Sequence, residues 1–108
     1  MASFKIVKPP AVVGICPICD REMIEGPSFN EHHLIPRAKG GKNGPKIDLH
    51  KICHDKIHSM WTEAQLAAYY HTVERIKEHE EMQKFIKWVQ KKPIDFYTHT
   101  KRNGARLR

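Results

Sequence analysis

Residues 31–58 read EHHLIPRAKGGKNGPKIDLHKICHDKIH, and this stretch decides the fold. It contains five of the chain's eight histidines. Phe29 to Leu34 reads as the first strand of a hairpin, and Pro36 marks its end. Arg37 to Pro45 is a loop by composition, with three glycines, a proline and three basic residues. Lys46 to Leu49 can return as a second strand. From His50 or Lys51 to Met60 the pattern suits a helix anchored by Ile52 and Ile57. His54 and His58 are four apart, so on that helix they share a face and can hold one metal ion. The order is therefore hairpin, basic loop, helix.

The flanks complete an α+β expectation. Ala11 to Ile15 reads as a short strand leading into Cys16-Pro-Ile-Cys19, with Asp20 and Arg21 closing the turn. Glu22 to Ile24 reads as a brief second strand. Thr62 is a suitable N-cap for a helix running to about Tyr70. Thr72 can cap a short turn carrying Val73 and Ile76. The last helix, about His79 to Lys91, places Met82, Phe85, Ile86 and Val89 at i, i+3, i+4, i+7, a core-facing stripe. Pro93 stops it. The first ten residues read as an extended lead-in and the stretch from Lys101 as a mobile basic tail. We expect one domain over 1–108: knuckle and core at about 11–60, a helical extension at about 62–92, and a basic tail at 93–108.

The totals narrow the function classes. A net charge of +7 and a pI near 9.5 favour a polyanionic partner. No apolar run approaches the roughly 20 residues of a membrane span, so no membrane role is expected. Met1 to Val7 lacks the apolar core of a signal peptide, which points to a cytoplasmic location. Three cysteines are an odd count and argue against a disulfide framework.

Two metal constellations account for the ligand-type residues. A zinc-finger reading needs a second histidine three to five residues after His32, where proline and arginine stand instead. Cys16, Cys19, His50 and Cys53 make a Cys3His set with two x2 spacings, a structural-zinc arrangement that uses every cysteine. The plainer alternative is a buried thiol at Cys53 and a surface imidazole at His50. The remaining histidines of the stretch are 32, 33, 54 and 58. Adjacent strand residues point to opposite faces, so His32 and His33 cannot both join the helix pair on one ion. Spacing alone leaves open which is the ligand, and Glu31 is a further candidate.

His-His-Leu-Ile-Pro, Gly40-Gly41 and Cys53-His54-x3-His58, with the Cys pair, together resemble the HNH endonucleases. The run including Trp61-Thr62-Glu63 and Phe85 to Val89 more loosely resembles small stand-alone bacterial or phage HNH proteins. The resemblance implies a ββα-metal core in which a hairpin and a helix pinch one divalent cation. It implies His33 as general base and His32, His54 and His58 as ligands, as in colicin-type nucleases with a histidine doublet. It further implies hydrolysis of DNA to 5′-phosphate and 3′-hydroxyl ends. One departure stands out: the family's middle asparagine falls on Pro45, with Asn43 the nearest substitute.

The chemistry agrees. An imidazole with a pKa of about 6.5 is a competent base at neutral pH. A cation on neutral ligands keeps its charge for the scissile phosphate, and three ligands leave positions open. Mg, Mn, Ni or Zn could serve, and imidazoles tilt the choice toward transition metals. Arg37, Lys39, Lys42 and Lys46 on the loop, with Lys51 and Lys56 on the helix, are expected on DNA phosphates. Trp61 and Trp88 are expected to pack, and His71, His79 and His99 to be ordinary polar residues. Double-stranded DNA is the expected partner, with specificity low or supplied by a homodimer or a larger protein. The alternative is a non-catalytic zinc-dependent DNA-binding module, which leaves the doublet and the His54/His58 pair unexplained. A third reading is an interaction protein whose histidines bind metal incidentally. Two metal sites fit the nuclease; one fits the binding module.

Overall fold

The structure, a computed structural model, describes residues 10–97. The expected basic tail from Lys101, His99 and all but the last residue of the lead-in lie outside them. The order is β1 (Val12–Ile15), β2 (Glu22–Ile24), β3 (Phe29–His33), a 3-10 turn (Arg37–Lys39), β4 (Lys46–His50), α1 (Lys51–Met60), α2 (Glu63–Ala68), α3 (Val73–Glu78) and α4 (Glu80–Val89). The strands form two separate antiparallel pairs, so the fold is α+β as expected.

β1 and β2 flank the Cys16–Cys19 turn. Asp20 takes a left-handed φ of 64°, tolerable for an Asp, while its N–H donates to Cys16 O at 2.8 Å. Cys16 N–H in turn donates to Arg21 O at 2.9 Å, so both cysteines are held on one tight loop.

β3 and β4 pair from Phe29↔His50 to His33↔Lys46. Residues facing each other across the pair share a face. Asn30, His32, Ile47 and Leu49 therefore lie on one side, and His32 and Leu49 are buried there. β4 runs into α1 with no intervening loop, and Lys51 N–H donates to Ser28 O at 2.8 Å. α1 packs on both strands and buries Ile52, Cys53 and Ile57.

The loop between β3 and β4 is more ordered than its composition indicated. It makes a 3-10 turn closed by Gly40 in the left-handed region at φ 91°. Gly41 is packed so closely on Ile35 that an added Cβ would overlap that carbonyl oxygen.

Of the C-terminal helices, α2 and α4 are shorter than expected. α2 carries a capping box, with Thr62 Oγ1 accepting from Gln65 N–H and Gln65 Oε1 accepting from Thr62 N–H. It ends at Ala68 rather than Tyr70, because Tyr70 turns back to stack on Trp61 at 4.1 Å. The segment after Thr72 is a full short helix, not a turn. α4 begins after His79, whose Nδ1 accepts from Glu81 N–H, and it ends at Val89 in a looser turn before Pro93. Leu66, Ile76, Met82 and Val89 are its fully buried anchors with α2 and α3, while Phe85 and Ile86 pack only at the edge. Six-residue helices are not stable alone, so these depend on such anchors. Side chains also fasten them to the knuckle: Lys77 Nζ donates to Pro17 O at 3.1 Å and Gln90 Nε2 to Cys19 O at 3.0 Å.

Gly41→Ala should lower stability by roughly 1–3 kcal/mol, the range for forcing a methyl into packed structure. Urea unfolding of the variant beside the parent chain measures it, and an unchanged midpoint would contradict the close approach.

Candidate functional site

Two clusters of ligand-type side chains assemble around α1. In the first, Cys16, Cys19, His50 and Cys53 are all buried, and their donor atoms lie within 4.8 Å of one another. Cys16 Sγ is 3.9 Å from Cys53 Sγ, and Cys19 Sγ is 3.2 Å from His50 Nδ1. Tetrahedral zinc, with bonds of about 2.3 Å to sulfur and 2.0–2.1 Å to nitrogen, sets such pairs about 3.5–3.8 Å apart. The donor set fits a structural zinc ion. His50 N–H also donates to Cys16 Sγ at 3.4 Å and Arg21 Nε to Cys19 Sγ at 3.2 Å, contacts that favour thiolates.

Protons in this cluster are strongly redistributed. Hydrogen bonds from Cys16, then Cys53, drive the Cys19 thiol far down against the effect of burial. Hydrogen bonds to Cys16, then Cys19, together with burial push the Cys53 thiol up. Burial opposes charge on His50, yet hydrogen bonds to Cys16 and Cys19 bring it up to about 9.

In the second cluster His32, His54 and His58 place donor nitrogens within 4.8 Å of one another. His32 comes from β3 and is 1% exposed; His54 and His58 come from successive turns of α1. The three rings meet edge to face, with centroids 4.7–5.4 Å apart. His54 Nε2 and His58 Nε2 are 3.1 Å apart. Nitrogens on one ion at about 2.0–2.1 Å stand about 2.9–3.4 Å apart, so a shared cation fits this spacing. Both ring nitrogens of His32 are buried without a hydrogen-bond partner. Burying unpartnered imidazole nitrogens is costly, and a cation would satisfy one of them. Burial first, then the charges of His54, His58 and His33, push His32 down to about 3. Its lone pair is thus available across the neutral range.

The structure separates the histidine doublet. His33 stays out of the three-histidine cluster and lines a cleft of about 200 Å³ together with Glu31, His32, Pro36, Arg37, His54, His58 and Glu63. Glu31 is exposed and pairs with Lys46 at 3.7 Å, outside the cluster. Asn43 is exposed on the loop and is not among the residues lining the cleft.

Of the expected phosphate contacts, Arg37 lines the cleft, while Lys39 and Lys42 are exposed and are not among its lining residues. Lys46, Lys51 and Lys56 carry ion pairs to Glu31, Asp55 and Glu81. Trp61 is buried as expected, whereas Trp88 is 46% exposed and lies under Lys92 Nζ at 4.9 Å. His79 is not an ordinary polar residue, since it caps α4 and meets Trp61 edge-on.

Two residues of the site escaped the sequence reading. Asn30 contacts His54 Nδ1 at 3.3 Å; its position two before His32 was the available signal. Glu63 enters the cleft only because the chain turns back after α1, which no local pattern announces.

The fold and the clusters define a small α+β protein built on a zinc-compatible Cys3His knuckle, with a three-histidine cluster beside it. The chain is 32% identical over 95 residues to the uncharacterized protein YisB of Bacillus subtilis (strain 168), covering 88% of this chain and 92% of that protein, and it belongs to the YisB family. No family model and no solved structure matches the chain. Among the described residues no helix is long and apolar enough to cross a membrane.

Purified protein should carry one firmly held zinc, and Cys19→Ser should lose it together with cooperative unfolding. Structural zinc contributes about 10–16 kcal/mol in small peptides, more than most domains have in total. Metal analysis and circular dichroism read both effects. The His32 ring should stay neutral from about pH 7.5 to about pH 5, where an ordinary imidazole titrates. Its ring-nitrogen NMR shifts report this directly, and a midpoint near 6.5 would refute the buried, unpaired environment.

Proposed function

We propose that this protein is a metal-dependent endonuclease of the HNH type, with β3, β4 and α1 as its ββα-metal core. The observation that carries this reading is the buried, unpartnered His32 set against His54 and His58, with His33 on the adjoining cleft. A strand histidine and two helix histidines converging next to a fourth, partly exposed one is what the resemblance to HNH enzymes implies for ligands and base.

His32, His54 and His58 would hold the divalent cation, which when bound supplies Lewis acidity to the scissile phosphate. His33 accepts the proton of the attacking water. Water oxygen bonds to phosphorus, the bond to the 3′ oxygen breaks, and that oxygen takes up a proton. The products are a 5′-phosphate and a 3′-hydroxyl. Arg37, on the cleft wall, holds a non-bridging phosphate oxygen through its guanidinium. Lys39 and Lys42 add affinity along the backbone without reading bases. Double-stranded DNA is the substrate, cut with low intrinsic specificity, and a second copy or a partner protein supplies any target choice.

Plasmid cleavage tests this reading. Protein retaining its knuckle zinc is freed of other metals and then given Mg, Mn or Ni. Wild type should convert supercoiled plasmid to nicked form only with added metal, and His33→Ala should lower the rate about 10²–10⁴-fold, the usual worth of a positioned base. Arg37→Ala should weaken binding more than it slows cleavage at saturation. Plasmid left intact under every metal, but still retarded in a gel, would replace the nuclease with a zinc-dependent DNA-binding module.

A further inference from the structure

Asn30 stands two residues before His32 on β3, on the same face of the strand pair. Its amide nitrogen is 3.3 Å from Nδ1 of His54. The other ring nitrogen of His54, Nε2, is the one 3.1 Å from His58 Nε2. The two nitrogens of this imidazole therefore face different partners: one the amide, the other the point where the histidines converge.

We infer that Asn30 is a positioning residue whose carboxamide sets the tautomer and ring angle of His54 for cation binding. The inference rests on the reading of His32, His54 and His58 as a metal site. A ring that offers its Nε2 lone pair to a cation carries its proton on Nδ1, and that N–H needs an acceptor. The carboxamide supplies one through its oxygen, since a half-turn exchanges its oxygen and nitrogen within the same envelope. In the opposite tautomer the amide N–H donates to a bare Nδ1, and Nε2 carries the proton instead. Asparagine satisfies both tautomers, so His54 stays hydrogen-bonded with or without a cation. A carboxylate at this position would accept only, and would favour the metal-binding tautomer alone. An apolar side chain would serve neither.

The test is nickel titration by calorimetry into full-length, zinc-loaded protein, comparing wild type, Asn30→Leu, Asn30→Asp and His54→Ala. Far-UV circular dichroism and zinc content confirm that each variant is folded. Wild type should bind nickel at a site lost in His54→Ala. Asn30→Leu should bind it 10–100-fold more weakly, the usual effect of deleting the partner of a metal-bound histidine. Asn30→Asp should bind at least as tightly as wild type. In nickel-free protein, Asn30→Asp should also shift His54 ring-nitrogen NMR signals toward the Nδ1–H form, which a merely structural role would not do. Equal affinity of wild type and Asn30→Leu, with the site still lost in His54→Ala, would remove Asn30 alone. Failure of wild type to bind nickel, or undiminished binding by His54→Ala, would remove the metal site and this inference with it. Tight nickel binding that follows Asn30, in a protein that cuts no DNA, would leave the inference standing and the nuclease reading refuted.

Discussion

The described chain depends on four donors that meet at one point: Cys16, Cys19, His50 and Cys53. His50 ends β4 and Cys53 lies in the first turn of α1, so whatever binds them fixes the angle between hairpin and helix. Cys16 and Cys19 bring the β1–β2 pair to the same place. Burying an imidazole and ionised cysteine sulfurs is unfavourable unless they are paired, and zinc would engage all four donors. Three thiolates around a zinc ion would leave one negative charge. Arg21 is placed to answer it, with Nε on Cys19 Sγ and Nη1 on the carbonyls of Lys92 and Pro93 at 2.9 and 2.7 Å. A single guanidinium thus joins the knuckle to the end of the helical extension.

With hairpin and helix so held, strand parity does the rest. His32 faces α1 and His33 does not, because neighbours on a strand alternate. A slip of one residue in the β3–β4 register would exchange them and put the wrong imidazole against His54 and His58. The register is pinned on both sides. At one end the cluster holds His50 opposite Phe29; at the other Leu34 N–H donates to Pro45 O at 3.1 Å, and Gly41 packs on Ile35. The glycines of this loop therefore serve the site as much as the turn.

This division explains what could be read from the sequence. The Cys3His set was legible because two x2 spacings and the use of every cysteine leave few alternatives. The helix pair was legible because i, i+4 is a local relation. Which member of the doublet turns inward was not, since parity gives opposite faces without saying which face is the core. The three-residue and five-residue strands were found from their neighbours, the knuckle and the loop, more than from their own composition. The end of α2 was misplaced by two residues because Tyr70 stacks on Trp61, and the start of α4 by one because His79 serves as its N-cap. Trp88 was assigned to packing, and it does meet Phe85 and Phe96 at 6.0 Å, but at the surface, while Met82 and Val89 take the core.

Charge adds a last constraint on the cleft. The chain's excess of basic residues is not spread evenly over the functional face, because Lys46, Lys51 and Lys56 already answer carboxylates. The cleft itself has two carboxylates, Glu31, which Lys46 answers, and Glu63, against one guanidinium, Arg37. Neutral His32 adds nothing to the positive side. A phosphate entering the cleft would therefore meet little net attraction from its lining alone. On the proposed reading, a divalent cation at the three histidines reverses that balance, so tight engagement of the backbone and competence to cut it arise from the same event.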